Sequence, residues 1–427
     1  MVGIAILIAL FGLIMLAVPV SFAIPAAALT GFLFAGWDSS YVIVTQQLID
    51  GVSKPALVAI PFFIFTGSVM NRIGLTERIF ALALAFVGHF RAGLAHVNVL
   101  ASLIFAGVSG SATADIAGLG QIEVKAMRAR GYSLDFAAAL TVATSIVGPI
   151  IPPSITLIVY AWLSNTSIAR LFLAGLVPGL LVGLAFMVYI RVTAIWTKYP
   201  VEPRATFPQI TKAAIDGLPA VGAPLIILCS ITFGLTTATE AGVLAAVYAL
   251  LLGVFYRTIS FETVWGAALE TVNVTAFIMM IIGASTIMSW ILTFEQVPQS
   301  FASAVLEYVD SRTAFLLVAI LIFVVCGFFL EATPSLIILM PLLLPSVDAF
   351  GVDRVQFGIV SALALLIGLA TPPVGVGLYV MSGMVNISLE RLSLAILPLL
   401  IPVFVALFLI AFFPQLTLWL PNLLLGG

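Results

Sequence analysis

Residues 148–154 read GPIIPPS and residues 368–375 read GLATPPVG, each inside a long apolar run. Proline has no N–H and its ring clashes with the preceding turn, so a double proline breaks a helix wherever it falls. The pairs Pro152–Pro153 and Pro372–Pro373 stand 220 positions apart, from 152 to 372. At the same offset Gly107 matches Gly327, Ala112 matches Ala332, Thr113 matches Thr333, Gly131 matches Gly351 and Gly148 matches Gly368. A small or polar break, SGSATAD at 109–115 and FLEATPS at 329–335, precedes each double proline by the same interval. An amphipathic stretch recurs in register, Tyr41–Ser53 against Phe261–Asn273. Paired broken segments at corresponding places of two halves mark the binding site of a secondary transporter.

Composition places these breaks in a bilayer. Of 427 residues 63% are hydrophobic and 8% charged, and the mean hydropathy is +1.27. A water-soluble chain of this length needs far more charged surface. The expected fold is an all-α polytopic membrane protein, with the N-terminal apolar run read as a retained span rather than a leader. Cys229 and Cys326 lie in apolar segments without metal-ligand spacing, and His89 and His96 have no acidic or thiol partner in sequence, so no metal centre is expected. Nothing basic enough for nucleic acid is present, and no nucleophile–base pair points to an enzyme.

Segment lengths give the organisation. Residues 93–128 and 313–347 are too short for two full crossings with a turn, which take about 40 apolar residues, but long enough for a re-entrant hairpin with a polar tip. Two inverted-topology repeats are expected. Residues 1–193 carry a hairpin (93–128) and a discontinuous helix (134–163); 194–218 form a cytoplasmic connector; 219–427 carry the second hairpin (313–347) and discontinuous helix (355–385). Arg72, Arg78, Arg91, Lys125, Arg128 and Arg130 flank the first hairpin, and Arg191, Lys198, Arg204 and Lys212 lie in or beside the connector. By the positive-inside rule both face the cytoplasm. The second hairpin's base carries Glu307, Asp310, Asp348 and Asp353 and reads as external. Both termini are then expected outside, with residues 4–36 crossing twice.

The breaks have chemical consequences. Without N–H groups at Pro152 and Pro153, the carbonyls of Gly148 and Pro149 lose their helical partners; Pro372 and Pro373 do the same to Gly368 and Leu369. A bound cation could satisfy them. Thr371 stands where an N-cap for the restarting helix would. Ser109, Ser111, Thr113 and Thr333 add hydroxyl oxygens, a hard-ligand set suited to sodium. Asp115 and Glu331 are acids inside the hairpins, and intramembrane acids are functional by default, although Asp115 could instead cap the second arm of its hairpin. Glu240 falls at a short break, structural or interfacial.

The motifs GVSGSATADIAG (107–118), GPIIPPS (148–154), LEATPSLIILMPLLLP (330–345) and GLATPPVGVGLYV (368–380) resemble the large membrane subunit of TRAP (tripartite ATP-independent periplasmic) transporters, along the whole chain. The resemblance implies an ion-transporter fold in which an elevator-type transport domain holds the hairpins and broken helices. It also implies sodium-coupled uptake of an organic acid anion delivered by a periplasmic solute-binding protein, in a bacterial inner membrane and with no cofactor beyond the coupling ion. The small four-span membrane subunit would be a separate chain. Carried onto these residues, one cation site would use Ser109–Asp115 with Gly148 and Pro149, and a second Gly327, Glu331 and Thr333 with Gly368, Leu369 and Thr371. The anion would lie between the tips, near Ser111, Ser154 and Thr371. C4-dicarboxylates, sialic acid and sugar or keto acids are all compatible with the residues. A stand-alone sodium/dicarboxylate symporter of the same superfamily is the alternative.

Overall fold

The computed structural model describes residues 2–16, 18–34, 36, 40–196, 199 and 201–426. Lys198 of the expected connector lies outside the described residues, as do the terminal residues 1 and 427 of the two expected repeats. Among the described residues every regular element is a helix. The first half comprises α1 (Val2–Met15), α2 (Val20–Phe34), α3 (Ser40–Val52), α4 (Ala59–Arg72) and α5 (Leu75–Val87). It continues with α6 (Gly93–Ser109), α7 (Ala112–Ala129), α8 (Leu134–Ser145), α9 (Ile155–Ser164) and α10 (Ile168–Thr193). α11 (Phe207–Gly217) bridges to the second half. There follow α12 (Gly222–Thr232), α13 (Ala238–Phe255), α14 (Phe261–Phe294), α15 (Val297–Tyr308) and α16 (Arg312–Phe329). The chain ends with α17 (Ala332–Ala349), α18 (Arg354–Leu369), α19 (Val376–Val385), α20 (Leu389–Phe412) and α21 (Gln415–Leu425).

The repeat is visible element by element. α7 and α17 begin and end 220 positions apart, and α8 and α18 begin 220 apart. Beyond the prolines the offset is 221: α9 starts at Ile155 and α19 at Val376, α10 at Ile168 and α20 at Leu389. Between the double proline and the restarted helix the second half therefore holds one more residue than the first, Val374 and Gly375 against Ser154, and the gapless register ends there. The packing is reciprocal: α7 lies against α19 and α17 against α9, while α8 meets α20 and α10 meets α18. Each half lends its second hairpin arm to the restarted helix of the other, as a two-fold relation requires.

One pair of elements differs. The α3–α4 segment of the first half is interrupted by a 3-10 turn at Pro55–Val58. Its counterpart α14 runs unbroken for 34 residues, because positions 275–277 are Thr, Ala and Phe. At about 1.5 Å per residue α14 is about 50 Å long, well beyond the roughly 30 Å hydrocarbon core.

Among the described residues eight helical stretches are long and apolar enough to cross a membrane. Helices also pair closely through small residues, as membrane helices do. α16 and α18 cross where Gly327 meets Gly368: a methyl on either would strike the other's helix, at Leu365 O or Val324 O. Ion pairs sort the loops into two ends. Arg130–Glu202, Arg78–Asp216 (3.7 Å) and Arg391–Asp135 (2.7 Å) gather the first hairpin's base, the connector and the start of α20. At the start of α18, Arg354 binds Asp348 (2.6 Å) and the Ser164 carbonyl (2.8 Å), joining the second hairpin's base to the end of α9.

Candidate functional site

The first hairpin turns at Gly110, whose φ of 61° lies in the left-handed region. A side chain there would also run into the Pro153 carbonyl, so the tip sits directly on the double-proline break. Ser111 caps α7, accepting from Ala114 N. Asp115 is therefore not the cap. Instead it turns back: Ser109 Oγ donates to Asp115 Oδ1, while Oδ2 has no hydrogen-bond partner although the residue is 2% exposed. That bare oxygen lies against Gly148, where an added methyl would collide with it. Ser109, Asp115 and Gly148 are thus brought together from two elements. An orphaned buried carboxylate oxygen beside a hydroxyl and an irregular backbone fits a hard monovalent cation.

The tips of the two hairpins meet. Ser111 Oγ lies 3.0 Å from Thr113 Oγ1, and Thr113 Oγ1 donates to Glu331 Oε1 at 3.1 Å. Glu331 occupies the N-cap position of α17 without capping it, because its carboxylate is turned toward the other half. Around this junction is a cavity of about 440 Å³. Ser109, Ser111, Thr113, Pro149, Glu331, Thr333 and Leu369 line it. Ser68 and Asn71 of α4 and Glu270 and Asn273 of α14 form the facing wall.

Four expectations are corrected by the geometry. α8 ends at Ser145, so Gly148 lies in a turn, with its N–H on the Ser145 carbonyl at 3.1 Å, rather than in a final helical turn. The Pro149 carbonyl is not free, since Ser154 Oγ donates to it. Nor is that of Gly368, which accepts from Thr371 N at 3.0 Å. Among the described residues only the Gly148 and Leu369 carbonyls of that set accept no hydrogen bond. Thr371 is not an N-cap: its hydroxyl donates back to Ile367 O at 2.5 Å, and Gly375 precedes α19 instead. The extra residue in the second break displaces the restart. Ser154 does cap α9, accepting from Leu157 N at 3.2 Å, but it is fully buried; neither it nor Thr371 lines the cavity.

The second expected cation set is less complete. Gly327 and Gly368 are occupied by the helix crossing, and Ser335 stands where Asp115 does in the first half. Its hydroxyl donates to the Glu331 carbonyl at 3.0 Å. Glu240, by contrast, makes a capping box with Thr237, accepting from its N–H at 2.7 Å and its hydroxyl at 2.9 Å, and is structural.

Ser68, Asn71, Glu270 and Asn273 were not singled out by the sequence reading. Ser68 Oγ donates to Glu270 Oε2 at 2.6 Å and Arg72 NH2 to the same oxygen at 3.1 Å. Their signal was present: polar residues three and four apart on otherwise apolar α4, and the polar face of the recurring amphipathic stretch on α14.

Residues 7–416 match the family described as "Tripartite ATP-independent periplasmic transporter, DctM component". The chain belongs to this family. Among TRAP relatives, the sialic acid TRAP transporter large permease protein SiaM of Vibrio cholerae is 42% identical over 416 residues, covering 97% of each chain. The C4-dicarboxylate TRAP transporter large permease protein DctM of Pseudomonas aeruginosa is 37% identical over 398 residues, 93% of each chain. The 2,3-diketo-L-gulonate TRAP transporter large permease protein YiaN of Escherichia coli is 34% identical over 375 residues, 88% of each chain. Among solved structures, the YdaH transporter of Alcanivorax borkumensis superposes with a TM-score of 0.63 over 90% of this chain and 91% of that one. At 14% identity that likeness concerns the fold alone. The chain is a multi-pass membrane permease subunit of the TRAP type.

Proposed function

We propose that this permease imports an organic acid anion by coupling it to sodium, with the cavity between the hairpin tips as the solute site. The observation that carries the reading is the meeting of both tips at Thr113 and Glu331, beside the bare Asp115 oxygen at Gly148. A cation held by Ser109, Asp115 and the Gly148 turn would place positive charge next to the cavity, and no basic side chain lines that cavity among the described residues. Binding of the anion then depends on the cation, which is coupling in its simplest thermodynamic form.

The hairpins and broken helices, linked by the reciprocal packing of α7 with α19 and α17 with α9, would move as the carrier. α4 and α14 would form the fixed wall, an elevator arrangement in which the hairpins are re-entrant. The end with the connector and most of the arginines would face the cytoplasm. A small membrane subunit and a periplasmic solute-binding protein complete the system. The names of the relatives point to sialic acid, diketogulonate or C4-dicarboxylates as solute classes.

The test is uptake into liposomes holding this chain and its small subunit, with the binding protein added outside. Uptake that saturates, requires a sodium gradient and vanishes without binding protein supports the proposal. Uptake indifferent to the binding protein would make the chain a stand-alone symporter, and uptake indifferent to sodium would remove the role of the Asp115 site.

A further inference from the structure

Glu123 lies two turns beyond Asp115 on α7, is 0% exposed, and has no part in the site described above. No lysine, arginine or histidine pairs with it among the described residues. Its Oε2 accepts from Asn98 Nδ2 at 2.7 Å and from Thr141 Oγ1 at 3.1 Å. Asn98 Nδ2 also donates to Thr141 Oγ1 at 2.7 Å. The chain continues with Thr144 Oγ1 to Asn98 Oδ1 at 2.8 Å and Ser102 Oγ to Thr144 Oγ1 at 3.1 Å. Both hairpin arms and the first half of the broken helix are joined by it. Every donor converges on Oε2, and Oε1 has no partner at all.

That asymmetry is the pattern of a neutral carboxylic acid, with one oxygen accepting and the other carrying the proton. An ionised Glu123 would bury an uncompensated charge with one oxygen bare, a far costlier state than one unbonded hydroxyl. The surroundings offer no relief. Asp115, two turns back on the same helix, has the same sign. Of the helices packed on α7, α19 carries no charged residue. Asp135 of α8 is engaged by Arg391, and Arg78 of α5 by Asp216. Glu77 of α5 adds another acid, and His96 of α6 sets its Nδ1 against the Ala92 carbonyl at 3.2 Å. Unlike Asp115, which faces the irregular turn at Gly148, Glu123 lies where α6, α7 and α8 are continuous helices whose backbone carbonyls are engaged along the helix, whereas hard metal ions gather about six oxygens.

The fold does not require this cluster. At the corresponding positions of the second half stand Leu343, Val318, Ile322, Ser361 and Ala364, so the same three-helix junction forms there without a carboxylate. Neither principal cavity reaches Glu123 or its partners.

We propose that Glu123 is a proton-binding site, occluded in this conformation, which holds one proton on Oε1 within the unit formed by α6, α7 and α8. The inference stands whichever solute is carried. It is tested by infrared difference spectroscopy of the full chain in lipid, wild type minus Glu123→Gln, from mildly acidic to mildly alkaline pH. The expected result is a protonated-carboxyl stretching band that Glu123→Gln removes and that persists across the range. Thr141→Val, which deletes one donor to Oε2 but not the proton, should shift that band and keep it; this comparison also serves should Glu123→Gln fail to fold. Loss of an ionised-carboxylate band in Glu123→Gln, or no carboxyl band sensitive to Thr141→Val, would overturn the proposal.

Discussion

Thr113, at the tip of the first hairpin, donates a hydrogen bond at 3.1 Å to Glu331, at the tip of the second. Residues 218 positions apart thus close one junction, in the middle of the cavity and next to the Asp115–Gly148 contact. If the tips act as one binding surface, Thr113→Val should separate them, leaving Glu331 Oε1 without its donor. Leaving a buried acceptor unsatisfied costs about 1–3 kcal/mol, so uptake should fall about fivefold or more, with the protein still folded. Initial uptake rates in liposomes, alongside a melting curve, check this.

Gly148→Ala tests the contact on the other side. The added methyl meets Asp115 Oδ2 directly, and overpacking of this kind costs about 1–3 kcal/mol. The expected outcome is weaker sodium dependence of uptake, with a higher sodium concentration needed for half-maximal rate. Gly131→Ala, at a turn away from the site, serves as the comparison and should leave that concentration where it was.

Ser154→Ala addresses the first break itself. Ser154 both caps α9 through Leu157 N and donates to the Pro149 carbonyl. Loss of a cap costs about 1–2 kcal/mol, and a buried carbonyl is left open besides. Melting temperature should drop, whereas Thr371→Val, whose hydroxyl only doubles back on Ile367, should lower it less.

Arg130–Glu202 and Arg78–Asp216 hold the first hairpin's base and the connector at one end. Single cysteines at Ala205 and at Ala129, the end of α7, should therefore be labelled from the same side of the membrane, the cytoplasm. A cysteine at the exposed Ala349, at the second hairpin's base, should be labelled from the opposite side. Impermeant maleimides on intact cells and inverted vesicles give the answer.

Much of the fold was legible because a bilayer leaves few options. Backbone polar groups must be satisfied within helices, so apolar run lengths and prolines fixed the helical class, and residues 2–34 do form two helices, α1 and α2. The offset between Ala112 and Ala332 carried the repeat. What the offset could not reveal was the extra residue after Pro373, which moves the α19 restart to Gly375–Val376 and strips Thr371 of the capping place. The site was legible where polar residues interrupt a small-residue turn, as at Ser109–Asp115. It was hidden where a side chain answers a backbone group, as Ser154 answers Pro149, because a hydrogen bond across a break leaves no period in the sequence. The wall residues Ser68, Asn71 and Glu270 were hidden for another reason. Ser68 and Glu270 pair across 202 positions, and only the packing of α4 on α14 brings this wall to the tips.

The most direct measurement is sodium binding to the purified chain, read as sodium-dependent stabilisation against heat in wild type and in Asp115→Asn. A ligand that binds only the folded state raises its stability with concentration. Sodium should stabilise the wild type where potassium does not, and Asp115→Asn should shift the sodium dependence at least about tenfold higher, about 1.4 kcal/mol. Equal sodium stabilisation of both proteins would contradict a cation site at Asp115 and Gly148.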